Sequence, residues 1–230
     1  MIAATRGRFN ESARRPRCSH LRFASHSHTV CSVNARIQTP LDALLRDVRA
    51  CRLCEAELPL GPKPVLRASA TARILIVGQA PGTRVHETGI PWNDPSGDRL
   101  RMWMNVDRNT FYDETRIAII PMGYCYPGRN TRGGDLPPRP ECARHWLPRL
   151  LALLPKIEFT ILAGQYAQRH YLGDRIKNSL RETVYNWREY HPRYLPIPHP
   201  SPRNTNWLKN NPWFEKDVIP ALRKRVKKLL

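Results

Sequence analysis

Four short apolar runs constrain this chain more than any other feature: ILIV at 74–77, IAII at 117–120, FTIL at 159–162 and YLPI at 194–197. Each has about the length of one strand and is soon followed by Gly, Pro or polar residues. Helical periodicity fills the intervals at 141–154, 165–172 and 213–229. A run that is apolar at nearly every position has to bury both faces, as strands of a parallel sheet do. Alternation of such strands with helices predicts one α/β domain, a central and mainly parallel sheet flanked by helices on both faces. Ligands are then expected beyond the carboxyl ends of the strands. A chain of 230 residues with 41% hydrophobic content can fill one such core and has little left for a second.

The domain is expected to span residues 39–230. Thr39 is placed to cap a helix, Pro40 suits its first turn, and Asp42 stands where a capping-box acid belongs. Leu41, Leu44, Leu45 and Val48 then give that helix one apolar face, and it runs into Cys51. Residues 1–38 differ, with seven Arg, five Ser, three His and a single acid, Glu11, and no sustained apolar periodicity. They read as a disordered basic tail, from an upstream start or a targeting segment. Cytoplasmic location is expected, or mitochondrial if the tail is a transit peptide.

Lys and Arg number 38 against 19 Asp and Glu, a formal charge of +19, which favours a polyanion such as nucleic acid over a small neutral partner. No stretch approaches the roughly 18 to 20 consecutive apolar residues of a membrane-spanning helix, so no membrane partner is expected. A monomer is expected. Six cysteines are few for a disulfide scaffold, and Cys18 and Cys31 fall in the tail. Cys51 and Cys54 form a CxxC pair, while Cys125 and Cys142 have sixteen residues between them. Four thiolates meeting at one point would bind zinc or an iron-sulfur cluster, and spacing does not choose between them. Such a site would order the turn-rich segment 125–142 and hold Arg129 and Arg132 on a firm surface for phosphate contact.

Two loops at predicted strand ends carry the chemistry. Gly78-Gln79-Ala80-Pro81-Gly82 closes the first strand, and His199-Pro200-Ser201-Pro202 follows the last. Between them lie Pro91-Trp92-Asn93 and the cysteine segment. Together, and in this order, they resemble the uracil-DNA glycosylase superfamily, most closely its four-cysteine branch, over roughly residues 45 to 210. The resemblance implies a [4Fe-4S] cluster on Cys51, Cys54, Cys125 and Cys142, with zinc as the alternative. It also implies a DNA repair hydrolase that cuts the N-glycosidic bond of uracil in DNA during base excision repair.

The same resemblance assigns the residues. Trp92 takes the place of the aromatic that stacks on the base, and His199 the place of the imidazole that stabilises the departing base. Gly78, Pro81 and Gly82 are expected around the base, with Gln79 and Ala80 at the catalytic positions of the first motif. Arg203 and Asn204, with Ser201, stand where relatives insert into the minor groove. Extruding a nucleotide, holding its flat base and stabilising developing negative charge need these residue types. Trp92 and His199 are expected to face each other across a slot for one pyrimidine, and Ser96-Gly97-Asp98-Arg99 to cap a helix near a phosphate.

Two departures qualify the match. Active relatives carry a carboxylate in the first motif, where this chain has Gln79 and Ala80; Glu87, His86, Asn93 and Asp94 are the nearby substitutes. Four-cysteine relatives also place an Asn five residues before the third cysteine, and here that residue is Ile120. Base reading then falls to Asn93 or to main-chain groups near Met122 and Gly123. The alternative is a catalytically weak or silent member of the same fold that binds DNA or damaged bases.

Overall fold

The computed structural model describes residues 39–131 and 133–230, so the reading of 1–38 as a tail, and Arg132 as a DNA contact, lies outside the described residues. Four strands, β1 (Ile74–Val77), β2 (Ile117–Ile119), β3 (Phe159–Ala163) and β4 (Tyr194–Ile197), form one sheet in the order β2-β1-β3-β4. Every pairing is parallel, with Ile74 beside Ile117 and Phe159, and Ala163 beside Ile197.

The strands bury both faces because their side chains alternate between two cores. Leu75, Val77, Ala118 and Leu162 point to one core, which is completed by helices α1 (Pro40–Arg49), α5 (Pro140–His145), α6 (Leu147–Ala152) and α7 (Gln165–Leu172). Ile74, Ile76, Ile119, Ile161 and Ile197 point to the other. Helices α3 (Pro95–Met104), α4 (Arg108–Tyr112), α8 (Leu180–Tyr185) and α10 (Ile219–Leu229) close that side. The short α2 (Thr83–Thr88) follows β1, and α9 (Thr205–Lys209) follows β4. No helix among the described residues is long and apolar enough to cross a membrane.

Local chemistry sets the helix ends. Thr39 accepts from the Asp42 amide at 3.1 Å and Asp42 returns the bond at 3.0 Å, the reciprocal cap expected of this pair. The segment expected as one helix over 141–154 divides at Trp146, because Pro148 sits in the first turn of α6 and has no N–H to continue the ladder. The terminal helix is likewise shorter than expected: a wide turn at Phe214–Val218 precedes α10, whose first turn holds Pro220.

The connections after β1 and β3 lead to opposite sides of the sheet, so the crevice between these two strands is where a ligand site is expected. The loops after β1 and β4 open on that same edge. Gly164, just past β3, has φ +88°, a backbone that favours glycine, and it lies against the loop after β4, where a Cβ would meet that of His199 at an ordinary 3.5 Å.

Candidate active site

A cavity of about 720 Å³ opens at the carboxyl ends of the strands, within the usual size of a ligand site. The whole 78–82 turn lines it, as do Trp92, His199, Ser201, Arg203, Asn204 and Arg129. The turn is fastened from behind: the Met122 amide donates to the Gly78 carbonyl at 3.0 Å, and that of Gly123 to the Gln79 carbonyl at 2.9 Å. These amides are thereby used within the fold. The expectation that they read a base is not met.

Trp92 has φ 57°, a left-handed backbone that costs a bulky residue on the order of 1 to 3 kcal/mol. The surroundings impose it. The Arg101 guanidinium donates to the Trp92 carbonyl at 3.3 Å, and the Tyr112 hydroxyl donates to the Pro91 carbonyl at 2.9 Å. Two glycines make the space: a Cβ on Gly97 would stand 1.7 Å from the Trp92 carbonyl oxygen, and one on Gly78 would stand 2.7 Å from Cζ2 of its indole. The indole therefore lies against the end of β1.

His199 is held by its own loop. Asn204 donates to the His199 carbonyl at 2.7 Å, and Arg99 reaches from α3 to the Ser201 carbonyl at 2.9 Å. Arg99 thus braces the loop instead of capping a helix. The cap of α3 is Asp94, which accepts from the Gly97 amide at 2.8 Å, while Ser96 is buried inside the helix. Desolvation by the cavity walls lowers the His199 pKa below its ordinary value, against the opposing pull of Asp94 and Asp135. Lowering the pKa favours the neutral imidazole, the form that donates from one nitrogen only.

The Trp92 and His199 rings stack at 5.4 Å between centroids with planes 30° apart. Stacked pairs meet at roughly 4.5 to 7 Å, so these rings touch. The expected slot between them is therefore corrected: with centroids 5.4 Å apart the indole and the imidazole pack on one another and leave no space for a base between them.

Three other expectations change. Asn93 does not line the cavity: its side-chain oxygen accepts from Arg108 at 2.9 Å, on the far side of the Trp92 turn. Gln79 lines the cavity, but its amide donates to the Leu136 carbonyl at 3.0 Å. Arg203 spans the mouth, donating to the Gly133 carbonyl at 2.6 Å, and so joins the loop after β4 to the cysteine segment. Of the carboxylate substitutes, Glu87 and Asp94 face the cavity, whereas His86 turns toward Tyr126 with ring centroids 6.2 Å apart. Ile120 is buried in the core.

Sequence reasoning missed Asp135. Its Oδ1 lies 3.8 Å from Arg129 Nε, and its Oδ2 lies 3.8 Å from where a Cβ on Gly82 would stand. Nothing local singles it out. Only the return of the 125–142 segment across the 78–82 turn brings it to the cavity.

Cys54, Cys125 and Cys142 are buried, Cys51 is half-buried, and none is in a disulfide. Burial pushes the Cys125 thiol up to about 11 and that of Cys142 to about 12, and the charges of the other cysteines add to both shifts. The Trp146 indole donates to the Cys51 sulfur at 3.2 Å. The cysteines are near enough for their charges to act on one another, and Glu141 and Arg139 also act on Cys54. No group of three or more His, Cys, Asp or Glu side chains among the described residues already stands at the spacing of a metal ion's ligands.

The family model of the uracil DNA glycosylase superfamily matches residues 67–223. That span begins before β1 and ends within α10, and it holds the 78–82 turn, Trp92, Asp135 and the His199 loop in one match. The chain belongs to the uracil DNA glycosylase superfamily.

Proposed function

We propose that the protein hydrolyses the N-glycosidic bond of uracil, the deamination product of cytosine, in DNA. The observation that carries this reading is the stacking of His199 on Trp92, whose indole lies over Gly78, in one strand-end cavity. Membership in the superfamily supports glycosylase chemistry on DNA in general. An extruded base would stack on the Trp92 indole by parting the two rings, and meet the His199 N–H as negative charge develops on its oxygen. Arg129 and Arg203, which line the cavity with Asn204, would meet the phosphates on either side.

The test is an oligonucleotide duplex with a single uracil, incubated with the protein and treated with alkali to break abasic sites. Strand cleavage is expected. His199→Ala should slow excision by about 2 to 4 kcal/mol of transition-state stabilisation with DNA affinity nearly intact. An unchanged rate removes His199 from the mechanism. The second reading, a silent DNA-binding member, is favoured by the ties of Gln79 to Leu136 and of Asn93 to Arg108, and it predicts binding without strand breaks.

We also propose that Cys51, Cys54, Cys125 and Cys142 hold a [4Fe-4S] cluster, with zinc as the alternative. Thiols raised by desolvation are protonated when unligated, and ligation would bind them as thiolates, so such a site joins α1 to the 125–142 segment. Iron and acid-labile sulfide in the purified protein support the cluster. Stoichiometric zinc supports the alternative.

A further inference from the structure

The 78–82 turn has no carboxylate of its own, yet a carboxylate stands above it. Asp135 arrives from the cysteine segment, and its neighbour Leu136 is the residue whose carbonyl receives the Gln79 amide at 3.0 Å. Arg129 holds Oδ1 at 3.8 Å, which leaves Oδ2 turned to the Gly82 side of the turn, at 3.8 Å from a Cβ position there. The Asp135 side chain is 42% exposed, so water reaches it from the cavity mouth. We propose that Asp135 accepts the proton of the attacking water, supplying from a distant segment the carboxylate that Gln79 and Ala80 lack. This inference rests on the glycosylase reading above.

The step balances without a further reagent. The water oxygen bonds to the sugar C1′, the C1′–N bond breaks, and its electron pair leaves with the base. Asp135 takes one proton from the water, the base anion facing His199 is protonated from solvent, and Asp135 returns its proton to solvent. One water is consumed for each bond cut.

Two other carboxylates share the cavity and fit less well. Asp94 has Oδ1 committed to the cap of α3 at 2.8 Å, and it is fixed on the helix that follows Trp92 and not over the 78–82 turn. Glu87 faces the cavity, but its charge acts on His86, whereas the charges that reach His199 are those of Asp94 and Asp135.

The experiment is single-turnover excision from a uracil duplex by the full-length protein, its Asp135→Asn variant, and the double variant that adds Gln79→Glu. Asp135→Asn should slow the chemical step roughly 100-fold without weakening DNA binding or lowering the melting temperature. Restoring a carboxylate at 79 should recover roughly tenfold of that loss, which a purely structural role for Asp135 would not produce. A wild-type rate in Asp135→Asn, or a loss that Gln79→Glu leaves unchanged, overturns the inference while the glycosylase reading stands. If the parent protein excises neither uracil nor hypoxanthine nor xanthine, the glycosylase reading itself fails and takes this inference with it.

Discussion

The wall of the cavity that carries Trp92 is fixed by buried groups, whereas the wall carrying Arg129 and Asp135 is held from the surface. Around Trp92, the Arg101 side chain is 9% exposed, and it bonds the Trp92 carbonyl while its guanidinium lies over the Phe111 and Tyr112 rings. Across the cavity, Arg129 and Asp135 form an ion pair whose side chains are 59% and 42% exposed. Such a pair contributes about 1 kcal/mol at most. The left-handed backbone at Trp92 persists because its surroundings over-determine it. Near Asp135 the described part of the 125–142 segment is held by hydrogen bonds to main-chain carbonyls, the Leu136 amide to the Gly128 carbonyl at 2.9 Å and the Gln79 side chain to the Leu136 carbonyl at 3.0 Å, while Cys125, Tyr126 and Cys142 are buried toward its ends. The Trp92 wall is therefore fixed by buried side chains, whereas the Asp135 wall rests on hydrogen bonds to main-chain carbonyls and, in the proposal above, on ligation of Cys125 and Cys142.

That contrast can be broken most severely at the cysteines. Cys125→Ser should remove a ligand from the proposed cluster and lower stability by about 4 kcal/mol, with loss of bound metal and early proteolysis confined to 125–142. If the variant keeps its metal and melts like the parent, the second wall does not depend on the thiols. Gly97→Ala is the matching test of the first wall. Its methyl would meet the Trp92 carbonyl, and a loss of about 3 kcal/mol in urea unfolding is expected, together with slower excision and unchanged metal content. A neutral result would mean that the Trp92 turn relaxes freely.

The smallest effect concerns pH. Desolvation depresses the folded pKa of His199, and also that of His86, His170 and His191, below the ordinary 6.5. Each group then takes up its proton more readily when the chain is unfolded. The stability contributed by keeping these residues neutral is complete above about pH 6.5 and is lost as pH falls toward the depressed folded values. Unfolding midpoints should therefore drop as pH is lowered from 7 to 5, and His199→Gln should flatten part of that slope. An identical slope in the variant would show that His199 is not desolvated in solution.

Much of this architecture could be read along the chain because its causes are local. All four strands lie within a residue of where the apolar runs place them, and the reciprocal Thr39–Asp42 cap begins α1 as its spacing requires. Burial on both faces leaves a mark on every residue of a strand, and a cap needs only four consecutive residues. The helix over 141–154 was misread because periodicity weighs apolar positions and not the missing N–H of Pro148.

The site was legible only in part. The 78–82 turn and His199 meet as their positions at strand ends suggest, since a parallel sheet brings all carboxyl ends to one edge, and Trp92 joins them from the loop between α2 and α3. Which way Asn93 faces, which amides remain free after Met122 and Gly123 bond the turn, and whether two rings touch or stand apart depend on partners far away in sequence.

The sequence by itself determined a parallel α/β sheet and the residues that reach its carboxyl edge, because alternation of apolar runs and turns is written in consecutive residues. The tertiary structure alone decided that Asp135 reaches the 78–82 turn and that Asn93 does not reach the cavity. Those placements follow from how a loop folds back over a sheet, where a carboxylate and its target are set together by packing and not by their distance along the chain.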